Sequence, residues 1–509
     1  MKIVSVSFGL AGVIGFAMCG QAVAAERPMT LAEIIELATK HNLDVQIERY
    51  NPQLAVYNLE GLYGAYDPGI NFLGAHNHDE AGPSRFNGIP IPGQTTDTDR
   101  FALGLGGANG GSALLPWGMN YSLHANVSDT YGKSFFSDTN GNILSNPFEN
   151  SSGSMGLTVT QPLLKNFWID GTRYNIRVAK NRLKWSEENF KQRLMEIVNL
   201  TEQTYYELIA TRELVVAQQK AVELAERLLA ENHKRVEVGA MAPLDEKQAE
   251  SQAASSRADL LVAQNAVAVR EDLLKSYITD EYAKYANVKI VPSETLGAQR
   301  HFFDRQDSWS KGLASRPDYN QAKLDLERAG IQIKYAKNQL LPQVDIFGTY
   351  GFNGSGTEFS DAIGSARELD SPYWSAGGQI NIPIGNISAK NSYRASKAAN
   401  EQALLNLKRT EQQVMLQIDN AINEARSSFE RVDATRAARG FAEAALDAEE
   451  KKLASGKSTN FEVLRLQRDL TTARNAEIRA LVDYNKALAQ LAFAEGTILE
   501  LRGITVTMK

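Results

Sequence analysis

No proline occurs between Pro162 and Pro243, and none follows Pro383 as far as the C-terminal Lys509. Proline inside a helix removes a hydrogen bond and clashes with the preceding turn, so two gaps of this size permit helices far beyond the ordinary ~11 to 12 residues. A helix from Asp170 to about Val238 would be roughly 100 Å long at 1.5 Å per residue. Only helix-on-helix packing along its length sustains such a rod. Leu208, Val215, Val222, Leu229 and Val236 recur at every seventh position, as a coiled-coil seam requires. On the returning rod, Leu466, Ala473, Ala480, Ala487 and Ala494 form a line whose alanines permit close approach. Each rod turns back at a short tip, near 239–245 and near 456–462. There Gly239 and Gly456 serve as C-caps, and Thr459 or Asn460 caps the next helix.

The chain also repeats. Asp44, Pro68 and Gly74 stand 274 positions before Asp318, Pro342 and Gly348, while Arg177, Lys180 and Gly239 stand 217 positions before Arg394, Lys397 and Gly456. Constant offsets over about sixty residues mark a duplication. The copies span 26–278 and 315–496, joined by a connector at 279–314 and followed by a tail at 497–509. The first copy opens with the capping box Thr30-Leu31-Ala32-Glu33, and the second with Ser315-Arg316-Pro317-Asp318, which sets a cap before a first-turn proline. Each opening helix is expected to run some 25 to 35 residues and stop at Pro68 or Pro342. Extended segments follow: a hairpin over 343–383 in the second copy and, in the first, a strand after Pro68 that returns through Leu157–Pro162. An insertion at 76–156 carries two more alternating runs, Phe101–Leu105 and Tyr121–Val127, which read as an extra hairpin. Whether that hairpin joins the same sheet is open.

Met1-Lys2, an apolar run from Ile3 to Met18 and then Ala22-Val23-Ala24-Ala25 make a cleavable export signal over 1–25. Lipidation at Cys19 is the alternative processing route. Beyond this leader no stretch approaches the ~18 to 20 apolar residues of a membrane-crossing helix, so entry into a membrane must be by strands. Strands in lipid must close into a barrel, because unpaired backbone groups find no water there. Four strands, or six with the extra hairpin, fall short of the ~8 in the smallest single-chain barrels, so several copies must join.

Composition removes other classes. A formal charge of −6, with both signs interspersed, argues against a nucleic-acid partner. Cys19, the one cysteine, lies in the leader, leaving the mature chain without disulfides or a cysteine nucleophile. Gly456-Lys457-Ser458-Thr459 imitates the end of a phosphate loop, yet the motif's first glycine would fall at Lys451, and a helix precedes it. The best metal pattern, His76-x-His78-Asp79-Glu80, is equally a polar loop leaving a membrane. No G-x-S-x-G or H-E-x-x-H occurs. No enzyme activity, cofactor or metal site is expected.

Four segments in order resemble the TolC-like outer membrane efflux protein (outer membrane factor) family across nearly the whole mature chain. They are Leu31-Ala32-Glu33 with Leu37-Ala38, Gln161-Pro162-Leu163-Leu164, Arg316-Pro317-Asp318, and Asp483-Tyr484-Asn485-Lys486-Ala487-Leu488 with Leu491 and Glu495-Gly496. The resemblance implies a mixed, mainly α fold: long antiparallel coiled-coil helices forming a periplasmic α-barrel, plus a β-barrel contributed by short hairpins. It further implies a homotrimer with four strands per chain and twelve in the wall, in the outer membrane of a Gram-negative cell and extending into the periplasm. Its partners would be a periplasmic adaptor, an inner-membrane transporter and outer membrane lipid. The family's acidic entrance rings carry over to Glu462 and, with a departure, to Arg465; its polar lock would set Asp245 against Leu453 and Ser458, and Leu453 cannot hydrogen-bond. Asp245, Lys457, Ser458, Glu462 and Arg465 are therefore the pore-entrance candidates. The expected function is a passive export duct for small molecules in a tripartite efflux system. A duct for type I protein secretion is the alternative, and a soluble periplasmic coiled-coil scaffold is the alternative of another class.

Overall fold

The computed structural model describes residues 25–86, 88–107, 111–138, 140–239 and 241–505. The export signal, apart from Ala25, and Cys19 lie outside the described residues. Strand β1 (Ala25–Met29) leads to helices α1 (Leu31–His41) and α2 (Leu43–Tyr63). Thr30 and Glu33 form the expected capping box, Thr30 Oγ1 accepting from Glu33 N and Glu33 Oε2 from Thr30 N. The single opening helix expected up to Pro68 is instead broken at Asn42, whose side chain accepts from the amides of Asp44 and Val45 and starts α2 afresh.

The sheet strands of the first half are β2 (Pro68–Glu80), β5 (Thr95–Gly107), β7 (Asn120–Ser137) and β8 (Ile143–Pro162). Small pieces β3 (Ser84–Phe86), β4 (Ile89–Ile91) and β6 (Ala113–Leu114) decorate their connections. Next comes the first arm, α3 (Gly171–Glu237, 67 residues) and α4 (Pro243–Ile278, 36 residues). Through the waist run α5 (Tyr282–Tyr285), β9 (Val288–Pro292), which pairs in parallel with β1, and α6 (Arg305–Ser315). The rest of the chain supplies α7 (Pro317–Asn338), β10 (Gln343–Gly356), α8 (Phe359–Glu368) and β11 (Pro372–Asn381). It ends in the second arm, α9 (Ile387–Ala454, 68 residues) and α10 (Asn460–Ala494, 35 residues), and then α11 (Ile498–Leu501). Arg316, not Ser315, precedes α7 as its N-cap, because Ser315 is still hydrogen-bonded into α6.

Two further features differ from the sequence expectation, and one question it left open is answered. The strands β2, β5, β7, β8, β10 and β11 are 10 to 20 residues long rather than short. The insertion's strands β5 and β7 lie within the main sheet, whose order is β11-β10-β8-β7-β5-β2. This sheet is open in the single chain. Helix α8, which no periodicity announced, folds back from the β10–β11 connection onto the sheet, its Phe359 ring edge-on to Phe101.

The deepest core lies at the waist. Ile34, Ile197, Leu208, Leu274, Ile278, Ile290 and Ile498 are essentially inaccessible there, joining α1, α3, α4, β9 and α11. Each such side chain contributes about 1.5–3 kcal/mol of burial. Tyr205 adds a hydrogen bond from its hydroxyl to Met29 O at 3.2 Å, and Arg502 pairs with the buried Glu202. Along the first arm Leu208 is buried, whereas Val215, Val222, Leu229 and Val236 are half-buried. The buried line runs instead through Ala217, Ala225, Leu228 and Asn232, since α3 touches both α4 and α10.

Candidate pore surfaces: the sheet and the arm tips

Strand register assigns the sheet two chemically different faces. Ile70, Leu105, Leu123, Leu157, Tyr350 and Trp374, one from each strand, lie in a single cross-strand row. The adjacent row, pointing to the other face because side chains alternate along a strand, is Asn71, Gly104, His124, Gly156, Gly351 and Tyr373. On that second face His124 Nε2 lies 3.3 Å from the Tyr373 hydroxyl. Ile70 and Trp374 are 74% and 76% exposed within the single chain, an arrangement that water disfavours and lipid favours. Toward the far end of the strands the apolar face changes character at the row His76–Asp99–Asp129–Ser151. There His76 Nδ1 meets Asp99 Oδ1 at 2.8 Å, and His78 Nδ1 meets Asp97 Oδ1 at 2.6 Å. The two imidazoles thus answer cross-strand aspartates at the edge of the apolar band.

At the opposite end are the two arm tips. Gly239 and Gly456 take φ of +72° and +71°, the left-handed conformation that ends a helix. The tips touch: Asn460, 2% exposed, donates from Nδ2 to Asp245 O at 3.2 Å. Beneath them Leu228, Leu446, Leu453, Val463, Leu464 and Leu470 form a small core.

The five candidate residues divide between these surroundings. Glu462 and Arg465, one turn apart on α10, pair within one chain, with Arg465 Nη2 and Nε at 2.7 and 3.0 Å from Glu462 Oε2. That carboxylate raises the Arg465 pKa, chiefly through the hydrogen bond. Ser458 donates to Glu449 Oε1 at 2.5 Å rather than to Asp245. Glu449 also accepts from Lys452 at 2.9 Å, and these two bonds, that of Lys452 first, lower its pKa. Lys457 is exposed on the turn, and its backbone amide donates to Lys452 O. Leu453 is in the tip core. Contact between tips therefore runs from the Asn460 side chain to the Asp245 backbone and not through the polar lock. Asn460 was legible only as a cap; its side chain is free to bridge because the capping position falls to Thr459, which makes no side-chain cap bond. His233 and Glu246 close the first tip from facing helices at 2.8 Å, a pairing no linear spacing reveals.

Among the described residues no helix is long and apolar enough to cross a membrane. A sheet with one apolar face, carried on coiled arms that end in polar tips, defines the class of strand-inserted channel proteins. A family model described as outer membrane efflux protein matches residues 120–278 and 309–497. The chain belongs to this family, whose members are channels rather than enzymes and reach from the outer membrane into the periplasm. Outer membrane protein TolC of Vibrio cholerae is 23% identical over 361 residues, covering 70% of this chain and 79% of that protein. The outer membrane protein VceC of Vibrio cholerae superposes with a TM-score of 0.65 at 16% identity, covering 92% of this chain and 96% of the other. The CmeC outer membrane channel of Campylobacter jejuni gives 0.64 at 16% identity, with 92% and 86% covered.

Proposed function

We propose that this chain is one protomer of a homotrimeric export duct, a passive conduit for small molecules completed by a periplasmic adaptor and an inner-membrane transporter. The observation that carries the reading is the six-residue apolar row across an open sheet. Such a sheet cannot sit in lipid until its edges are paired by other copies. The units would be 26–278, a connector at 279–314, 315–496 and a tail at 497–509. Their reading as a duplication is supported by arms of 67 plus 36 and 68 plus 35 residues. Asp245, Lys457, Ser458, Glu462 and Arg465 would line or brace the periplasmic mouth, where adaptor contacts at the tips widen the opening.

Purified protein should conduct ions across a planar bilayer, and a gene deletion should raise drug susceptibility. A deletion that changes the secreted protein profile and leaves drug tolerance intact would favour protein secretion through the same duct. Failure to conduct under any condition would remove the channel reading.

A further inference from the structure

The sheet order has β2 at one edge and β11 at the other, with the insertion's β5 and β7 inside it. Each edge leaves a row of backbone groups without partners in the chain. β2 rises from α2, whereas β11 descends toward α9. Placed side by side, β2 of one copy and β11 of the next are antiparallel, like every neighbouring pair within the main sheet.

The helices below follow the same order. α2 touches α3, α3 touches α7, and α7 touches α9, so the edge strands stand over the edge helices. Both edge helices carry exposed apolar side chains, Ile47, Leu54 and Tyr57 on α2 and Leu405 and Leu416 on α9. One neighbouring copy would cover the strand edge and the helix edge together.

The widths of the two layers are compatible with all six strands of the sheet order entering the wall. Four helices abreast at 8–10 Å spacing span about 32–40 Å. Six strands about 4.8 Å apart and tilted about 40° cover about 38 Å, whereas four cover only about 25 Å. Six strands therefore fit over the helical layer beneath them.

We propose that three copies close head to tail through β2 and β11 into an eighteen-stranded barrel, in place of the twelve strands implied by the family resemblance. This rests on the trimeric duct proposed above. A wall of that circumference is about 36 Å across at the backbone and leaves about 25 Å between side chains. The membrane section is then as wide as the helical one, and cargo size is limited at the arm tips.

Paired cysteines in the full-length protein test the closure. Leu73→Cys on β2 with Ser375→Cys on β11 sit at opposite edges of the sheet in one chain, roughly five strand spacings of ~4.8 Å apart. A disulfide needs Cα atoms within about 7 Å, so only a neighbour can complete it; Asn71→Cys and Gln379→Cys sample the adjoining registers. Oxidation should yield a covalent trimer, while Asn126→Cys on β7 with Ser375→Cys should yield none. A β7–β11 cross-link would show the β2–β5 pair peeled away from the wall, and a covalent dimer without trimer would show a twelve-stranded two-chain closure. Either overturns the proposal. Electron cryomicroscopy of the unmodified particle in lipid gives an independent count: eighteen strands are expected, and twelve refute. A trimer with twelve strands sinks this inference alone, whereas absence of any trimer also sinks the duct.

Discussion

Gly496 ends α10 with φ +75°, and a Cβ there would stand 3.0 Å from both Arg316 N and Ser315 C. Both neighbours are backbone at the α6–α7 junction, so neither can rotate away. Gly496→Ala therefore carries about 1–2 kcal/mol for placing a non-glycine residue in the left-handed region. A further ~1–3 kcal/mol comes from forcing packed segments apart. Gly239→Ala is the natural control, because its φ of +72° carries the first cost while nothing lies within 4 Å of the added methyl. The loss of backbone freedom in the unfolded chain is common to both and cancels. Unfolding of a large membrane assembly is irreversible, so the quantity to measure is the half-life of the detergent-solubilised protein at a fixed elevated temperature. With about 1.4 kcal/mol per tenfold in rate, Gly496→Ala should lose structure roughly five to a hundred times faster than Gly239→Ala. Equal half-lives would refute the claim that the end of α10 is wedged against the start of α7.

Three other outcomes follow from the geometry. Glu462→Gln should shift reversal potentials in a salt gradient toward anions by releasing Arg465, and Arg465→Gln should shift them toward cations. The pair is 41% and 52% exposed, so stability should hardly change; unaltered selectivity in both variants would take the pair out of the pore. At the first tip, Glu246 and Glu237 raise the His233 pKa above its ordinary 6.5, the hydrogen bond from Glu246 counting most. A raised value in the folded state means the stabilisation is complete below pH 6.5 and is lost as pH climbs through the raised value. Proteolysis near the tip should accelerate over that window in the wild type and be flat with pH in His233→Gln. On the sheet, Leu123→Arg should cost about 2–4 kcal/mol in lipid and block assembly, whereas Ser122→Arg, on the alternate face, should assemble; equal tolerance would mean the faces are assigned the wrong way round.

Much of the architecture was written in local pattern. Proline gaps and the tip glycines Gly239 and Gly456 mark α3 and α9 almost to their ends, since helix length is limited by breakers and caps that can be read one residue at a time. Alternation also marked Phe101–Leu105 and Tyr121–Val127 as extended. It could not say which strand each would neighbour, because period-two patterning specifies a face and not a partner. The entrance candidates fared similarly. Glu462 and Arg465, three apart on one helix, were bound to be within reach of each other, whereas the Asn460–Asp245 contact spans 215 positions and exists only because both arms fold back to the same place.

The sequence by itself determined the rods, their turning points and the strand segments, all consequences of short-range sterics and of the backbone's demand for hydrogen bonds. Tertiary structure decided that β5 and β7 sit inside the sheet, that α8 covers part of its apolar face, and that the tips meet through Asn460. Those are pairings between distant segments. Their free energy depends on which surfaces arrive side by side, a quantity that no window along the chain contains.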